Sequence, residues 1–140
     1  MHIITVRRRT TADPATIWAL WADPAERPRW DDALEAVELE GPFEAGARGV
    51  VRLKGQPDRR LEVLECVAPR QFTERVTLPL GGKMDWHHRI DDVNGAREVR
   101  FDVTVRGPTA YLLALVLRRV LARALPPAVE KLVGLAEDRA

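Results

Sequence analysis

Alternation of apolar and polar side chains governs the middle of this chain. From Arg97 to Arg106 the odd positions Val99, Phe101, Val103 and Val105 are apolar, and Glu98, Arg100, Asp102 and Thr104 between them are polar. That period of two marks a strand with one buried face. Similar segments run over Ile3 to Thr10, Glu35 to Glu40, Ala47 to Lys54, Arg60 to Val67, Gln71 to Leu78 and Lys83 to Asp91. Turn residues separate them: Gly41-Pro42, Gly55-Gln56-Pro57, Ala68-Pro69, Gly81-Gly82 and Asn94-Gly95.

The period changes twice. After the first strand, Asp13-Pro14 and Asp23-Pro24 each pair an N-cap residue with proline at the first helical position. They predict two short helices, the second ending near Trp30. After Gly107-Pro108, Thr109 can cap a long helix, and Leu112, Leu113, Val116, Leu117, Val120 and Leu121 recur at i, i+3, i+4 as one buried face. Pro126-Pro127 removes two backbone donors and predicts a kink near Leu125. The pattern resumes at Val129, Leu132, Val133 and Ala136. The order is α+β: a strand, two short helices, six more strands and a long C-terminal helix. Sequential hairpins make an antiparallel sheet, and only the last helix is large enough to cover it. A curved sheet wrapped around that helix need not pack solid, so a cavity can remain between them.

Register gives the cavity face residue by residue. Asn94-Gly95 suits a two-residue type I′ turn. Val93 then pairs with Ala96, Ile90 with Val99, His88 with Phe101, Trp86 with Val103 and Met84 with Val105. Every partner is inward, so His88 and Trp86 point in, while Asp85, His87 and Arg89 point out. On the preceding strand Phe72, Glu74, Val76 and Leu78 share the inner face. Glu74 falls within about 5–8 Å of His88 or opposite Trp86. An inward carboxylate beside an inward imidazole has three readings: a mutually satisfied core pair, polar hooks for a ligand, or an acid/base pair. The expected cavity wall is Phe72, Glu74, Val76, Met84, Trp86, His88, Phe101 and Val103 on the sheet, with Leu113, Val116, Leu117 and Leu121 on the helix.

Composition narrows the partners. The chain has 140 residues, 46% hydrophobic and 31% charged, with a net charge of +1. That suits one soluble domain, residues 1–140; the net charge selects no partner class, and with acidic residues spread through the chain no nucleic acid is expected. Arg7-Arg8-Arg9 reads as solvated side chains on a strand. Cys66 is the only cysteine, so no internal disulfide or cysteine-based metal site forms. His87 and His88 face opposite ways and cannot share a metal ion. The run Ala110 to Leu117 is far shorter than the ~20 residues of a membrane span, and no signal-peptide core opens the chain. The expectation is a cytoplasmic protein without metal, cofactor or stable membrane insertion, as a monomer or homodimer.

The segment "ADPATIWALWADPAERPRWDDAL", the passage "VLECVAPRQF" and the Gly-Pro before a leucine-rich helix resemble the SRPBCC or START-like superfamily. That group includes polyketide cyclase/dehydrase and lipid-transfer types. The resemblance implies a helix-grip fold, a seven-stranded antiparallel sheet around a long kinked C-terminal helix, with a cavity for a hydrophobic or amphipathic ligand. It carries over no catalytic residues. Three functions follow: a carrier or sequestering protein for a small hydrophobic ligand, a cofactor-independent cyclase or dehydratase using His88 and Glu74, or a chaperone-activator-like interaction module.

Overall fold

In the computed structural model, which describes residues 1–139, strand β1 (His2–Thr10) leads into α1 (Pro14–Ala22) and a 3₁₀ segment (Pro24–Arg29). Asp23 caps that segment by accepting a hydrogen bond from the Ala25 N–H at 3.0 Å. Asp13 makes no such side-chain bond; the proline after it suffices to start α1. Then follow β2 (Leu34–Leu39), β3 (Arg48–Leu53), β4 (Arg59–Val67), β5 (Gln71–Thr77), β6 (Lys83–Val93) and β7 (Ala96–Arg106), and last α2 (Ala110–Asp138). The seven strands form one antiparallel sheet in the order β1-β7-β6-β5-β4-β3-β2. Sequential hairpins account for every pairing but one. β1 lies against β7, and α1 with the 3₁₀ segment carries the chain across to β2 on the opposite edge.

The β6–β7 hairpin has the register its turn dictates. Asn94 (φ 51°) and Gly95 (φ 78°) both hold positive φ, as a type I′ turn requires. His88 pairs with Phe101, Trp86 with Val103 and Met84 with Val105. The alternation breaks on β4, where a bulge separates the pairs Val63–Glu74 and Glu65–Thr73. The additional residue, Leu64, reverses the faces beyond it. Glu65 is thereby exposed and Cys66 turns toward the core. Outward Asp85 is only 1% exposed, because Arg75 and Arg106 clamp it from the outer face.

Helix α2 departs from the periodicity. Its buried side chains are Ala114, Leu121, Leu125, Ala128, Val129, Leu132, Val133 and Ala136. Leu112, Val116 and Val120, expected on the buried face, are 67%, 61% and 52% exposed. The first two turns are apolar almost all round, so their pattern lacks the contrast that would select a face. Docking selects it instead. Gly82 lets the helix start approach closely, since a Cβ there would lie 2.6 Å from Leu113 Cδ1. Pro126 and Pro127 do not interrupt the helix. They sit on its solvent side, where the carbonyls freed at exposed Ala122 and Arg123 meet water. No helix among the described residues is long and apolar enough to cross a membrane.

The interior has two hydrophobic clusters. The larger joins α1, α2, β1, β6 and β7 through Ile3, Ile17, Leu20, Trp21, Ile90, Val99, Phe101 and Leu132. The smaller, Leu34, Val37, Val51, Leu61, Val63 and Val76, lies on β2 to β5. Helix α2 packs over β1 and β7 and leaves the other half of the sheet to the smaller cluster. A seam runs between the two, with Phe43, Cys66 and Trp86 packed against both.

The two ends of α2 should respond differently to substitution. Leu132→Ala, at a fully buried position, should lower the unfolding free energy by about 2–5 kcal/mol. Val116→Ser should stay within about 0.5 kcal/mol of the parent. Urea denaturation measures both, and equal losses would contradict the docked face described here.

Candidate functional site

The seam is not filled. A pocket of about 90 Å³ lies along it. Leu34, Val37, Val51, Leu61 and Val76 of the smaller cluster line one side, and Trp30, Met84, Phe101 and Leu125 of the larger line the other. Among its liners only Asp31, Leu53 and Trp86 are partly exposed, so it reaches solvent on their side. Its polar groups are Arg27, Asp31, Glu74 and His88.

Arg27 and Glu74 form a buried ion pair. Arg27 Nη1 donates to Glu74 Oε1 at 2.7 Å, with the side chains 7% and 6% exposed. The proline-bounded 3₁₀ segment turns Arg27 inward beneath α1, where its Nε donates to the Trp21 carbonyl at 2.8 Å. The guanidinium lies 5.5 Å from the Phe43 ring and 5.6 Å from that of Phe72, a favourable place for a partly desolvated cation. Among the described residues Arg27 Nη2 and Glu74 Oε2 have no hydrogen-bond partner.

His88 is packed as an aromatic ring. It stacks on Phe72 at 4.0 Å and 9° between planes, with the Trp21 and Phe101 rings set edgewise at 5.5 and 4.6 Å. Its Nδ1 is buried without a partner among the described residues, although the backbone of Trp86 and Phe72 lies close enough to favour the charged ring somewhat. Burial, with the Arg27 charge next in weight, pushes its pKa well below the ordinary histidine value. The imidazole is therefore neutral at physiological pH. At the mouth, burial raises the Asp31 carboxyl, opposed chiefly by the hydrogen bond it accepts from the Ala33 N–H. Each buried, unpartnered polar atom costs about 1–3 kcal/mol. Three of them on neighbouring residues of one pocket wall are an unusual concentration.

Of the residues expected to face a cavity, Glu74, Val76, Met84, Trp86, His88 and Phe101 come together in the lining. Phe72 and Val103 are buried beside it, Phe72 beneath His88. Leu121 is core, and Leu113 and Leu117 are half-buried against the core. Val116 points to solvent, so the helix contributes Leu125 instead, one turn beyond Leu121. Glu74 and His88 do not form a mutually satisfied pair. Register sets Glu74 opposite Trp86 and His88 opposite Phe72, and Arg27 takes the carboxylate. Sequence reasoning missed Arg27, Trp30, Asp31 and the liners on β2 to β4. For Arg27 a signal existed: an inward Glu74 demands a buried cation, and "DPAERPRW" supplies arginines beside a core tryptophan. Outward His87 shares a hydrogen bond with the Thr73 hydroxyl, at 3.0 Å. Among the described residues no group of three or more His, Cys, Asp or Glu side chains could hold a metal ion.

The fold has many relatives. Among solved structures the chain is similar to protein MLL2253 from Mesorhizobium loti, at 15% identity and TM-score 0.73, over 98% of this chain and 97% of that one. It is similar to Ara h 8.0201 at 11% identity and TM-score 0.73, over 96% and 97%. It is also similar to the Aha1 dimer from Colwellia psychrerythraea, at 14% identity and TM-score 0.64, over 96% and 95%. At such identities the likeness establishes the fold alone, a helix-grip sheet with a long C-terminal helix. No curated protein matches the sequence. The profile of one family matches residues 1–137, and on that match the chain belongs to the polyketide cyclase / dehydrase and lipid transport family of the SRPBCC superfamily.

Proposed function

We propose that the chain binds a small amphipathic molecule in the seam pocket, as a carrier or sequestering protein. One observation carries this reading: a pocket between two hydrophobic clusters, lined mostly by apolar side chains with Arg27, Asp31, Glu74 and His88 among them. The apolar body of a ligand replaces water against the two clusters, and the few polar side chains orient its head. Size limits the ligand. Pockets for drug-sized ligands measure roughly 300–1,000 Å³, whereas this one measures about 90 Å³. A multi-ring polyketide does not fit it.

A cyclase-like enzyme has one observation in its favour, since both His88 and Glu74 line the pocket. Two others weigh against it. General bases work best with a pKa near the operating pH, and burial holds His88 well below that range. Glu74 is tied to Arg27. The interaction-module reading draws on the exposed apolar stripe of Tyr111, Leu112, Leu115 and Val116, but it calls for a filled core rather than a seam.

Binding is tested by NMR titration with small-molecule fragments. The Trp30 and Trp86 indole N–H signals should shift while that of Trp18, which is outside the lining, stays in place. Val76→Phe should fill the pocket and abolish the shifts without unfolding the protein. Unchanged binding to that variant would refute the site.

The neutrality of His88 is tested by pH. An unfolded histidine takes up a proton below about pH 6.5, which the folded state refuses. The stability tied to neutral His88 is thus fully present above that value and is lost as pH falls toward the depressed folded-state pKa. Between about pH 7 and pH 5 the parent should lose up to about 1.4 kcal/mol per pH unit more than His88→Phe. Parallel denaturation profiles for the two proteins would mean that the imidazole titrates normally.

A further inference from the structure

We propose that the seam pocket takes a small organic cation, an alkylammonium ion, with its charge beside Asp31 at the mouth and its alkyl body between the two clusters. The inference rests on the binding reading above and specifies the chemical class of the ligand.

Charge in the lining is not balanced. The ionisable side chains there are Arg27, Asp31, Glu74 and His88. Arg27 and Glu74 are bonded to each other at 2.7 Å, and both are buried, so their charges cancel. His88 is neutral. Asp31 is left as the uncompensated charge of the lining. Its neighbour Asp32 has the Lys131 ammonium at 2.7 Å, whereas Asp31 makes no ion pair among the described residues. Its Oδ1 accepts from the Ala33 N–H at 3.2 Å. Burial disfavours its charge, and of the neighbouring charges the like charge of Asp32 weighs more than that of Arg27 or Lys54.

A cation seated beside Asp31 offsets that penalty. Two indoles, Trp30 and Trp86, line the same pocket, and an aromatic face attracts an ammonium ion. Asp31 and Trp86 are both partly exposed. An ammonium group at this mouth therefore keeps part of its hydration, and the full cost of burying an ion does not arise. Most of the remaining wall is apolar, with Leu34, Val37, Val51, Leu61 and Val76 on one side. A space of about 90 Å³ suits a short alkyl chain. A carboxylate of the same size would meet Asp31 as a like charge, and an alcohol brings no charge to offset it.

The test is a ranking of matched ligands: butylammonium, butan-1-ol and butanoate, titrated into the full chain and followed by NMR at the Trp30 and Trp86 indoles. Butylammonium should bind about tenfold more tightly than butan-1-ol, through an ion pair and an aromatic contact together, and butanoate should bind most weakly. In Asp31→Asn, which can still accept the Ala33 hydrogen bond, that advantage should shrink to about threefold or less, the aromatic share alone. Val76→Phe should abolish butylammonium binding. Binding that survives in that variant is attraction to the surface and overturns the proposal. Butan-1-ol or butanoate matching butylammonium on the parent protein, or Asp31→Asn keeping the whole preference, would overturn the cation assignment while leaving the binding site standing. If none of the three moves either indole, the binding reading falls and takes the assignment with it. The parent ranking and the Val76→Phe control decide the matter even where Asp31→Asn does not fold.

Discussion

The buried ion pair between Arg27 and Glu74 is the constraint around which this interior is arranged. Two charges out of water must be paired and hydrogen-bonded, or several kcal/mol are lost per ion. Glu74 lies in the middle of β5, on the inner face, and no strand neighbour can neutralise it. The partner comes from the 3₁₀ segment, which is short, proline-bounded and rigid enough to hold a guanidinium under the end of α1. The pair thereby ties the crossing from β1 to β2 onto the sheet. The bond from Arg27 to the Trp21 carbonyl and the one from the Trp30 indole to the Leu20 carbonyl at 3.2 Å anchor both sides of that crossing to α1.

The pocket follows from incomplete coverage. Helix α2 lies over β1 and β7, and the rest of the sheet closes on a cluster of its own. Where the two clusters meet, a few large side chains, Trp30, Trp86, Phe101 and Leu125, must bridge a gap they do not fill. Polar groups gather at that gap because they cannot be buried within either cluster. The gap that remains is small, about 90 Å³.

Legibility varied along the chain for definite reasons. The β6–β7 hairpin was read to the residue, because Asn94-Gly95 admits one turn type and alternation has a period of two. The exposure of Glu65 on β4 is not legible from alternation, because the bulge at Leu64 is a change of one residue with no local signal. The start of α2 was misread for the opposite reason: Ala110 to Leu117 is so uniformly apolar that several faces fit equally well. Glu74 was seen to point inward, but its partner was not, since strand periodicity says nothing about a residue 47 positions away.

Local chemistry in the sequence settled the element order, the antiparallel sheet, the inward set of β5 to β7 and the division of labour between His87 and His88. Each rests on a short-range rule: turn geometry, capping or side-chain alternation. Three features belonged to tertiary structure alone. They are the face of α2 that meets the sheet, the ion pair that takes Glu74 from His88, and the pocket between two clusters. All three depend on how close distant segments come, and that distance is decided when every side chain competes for the same interior volume.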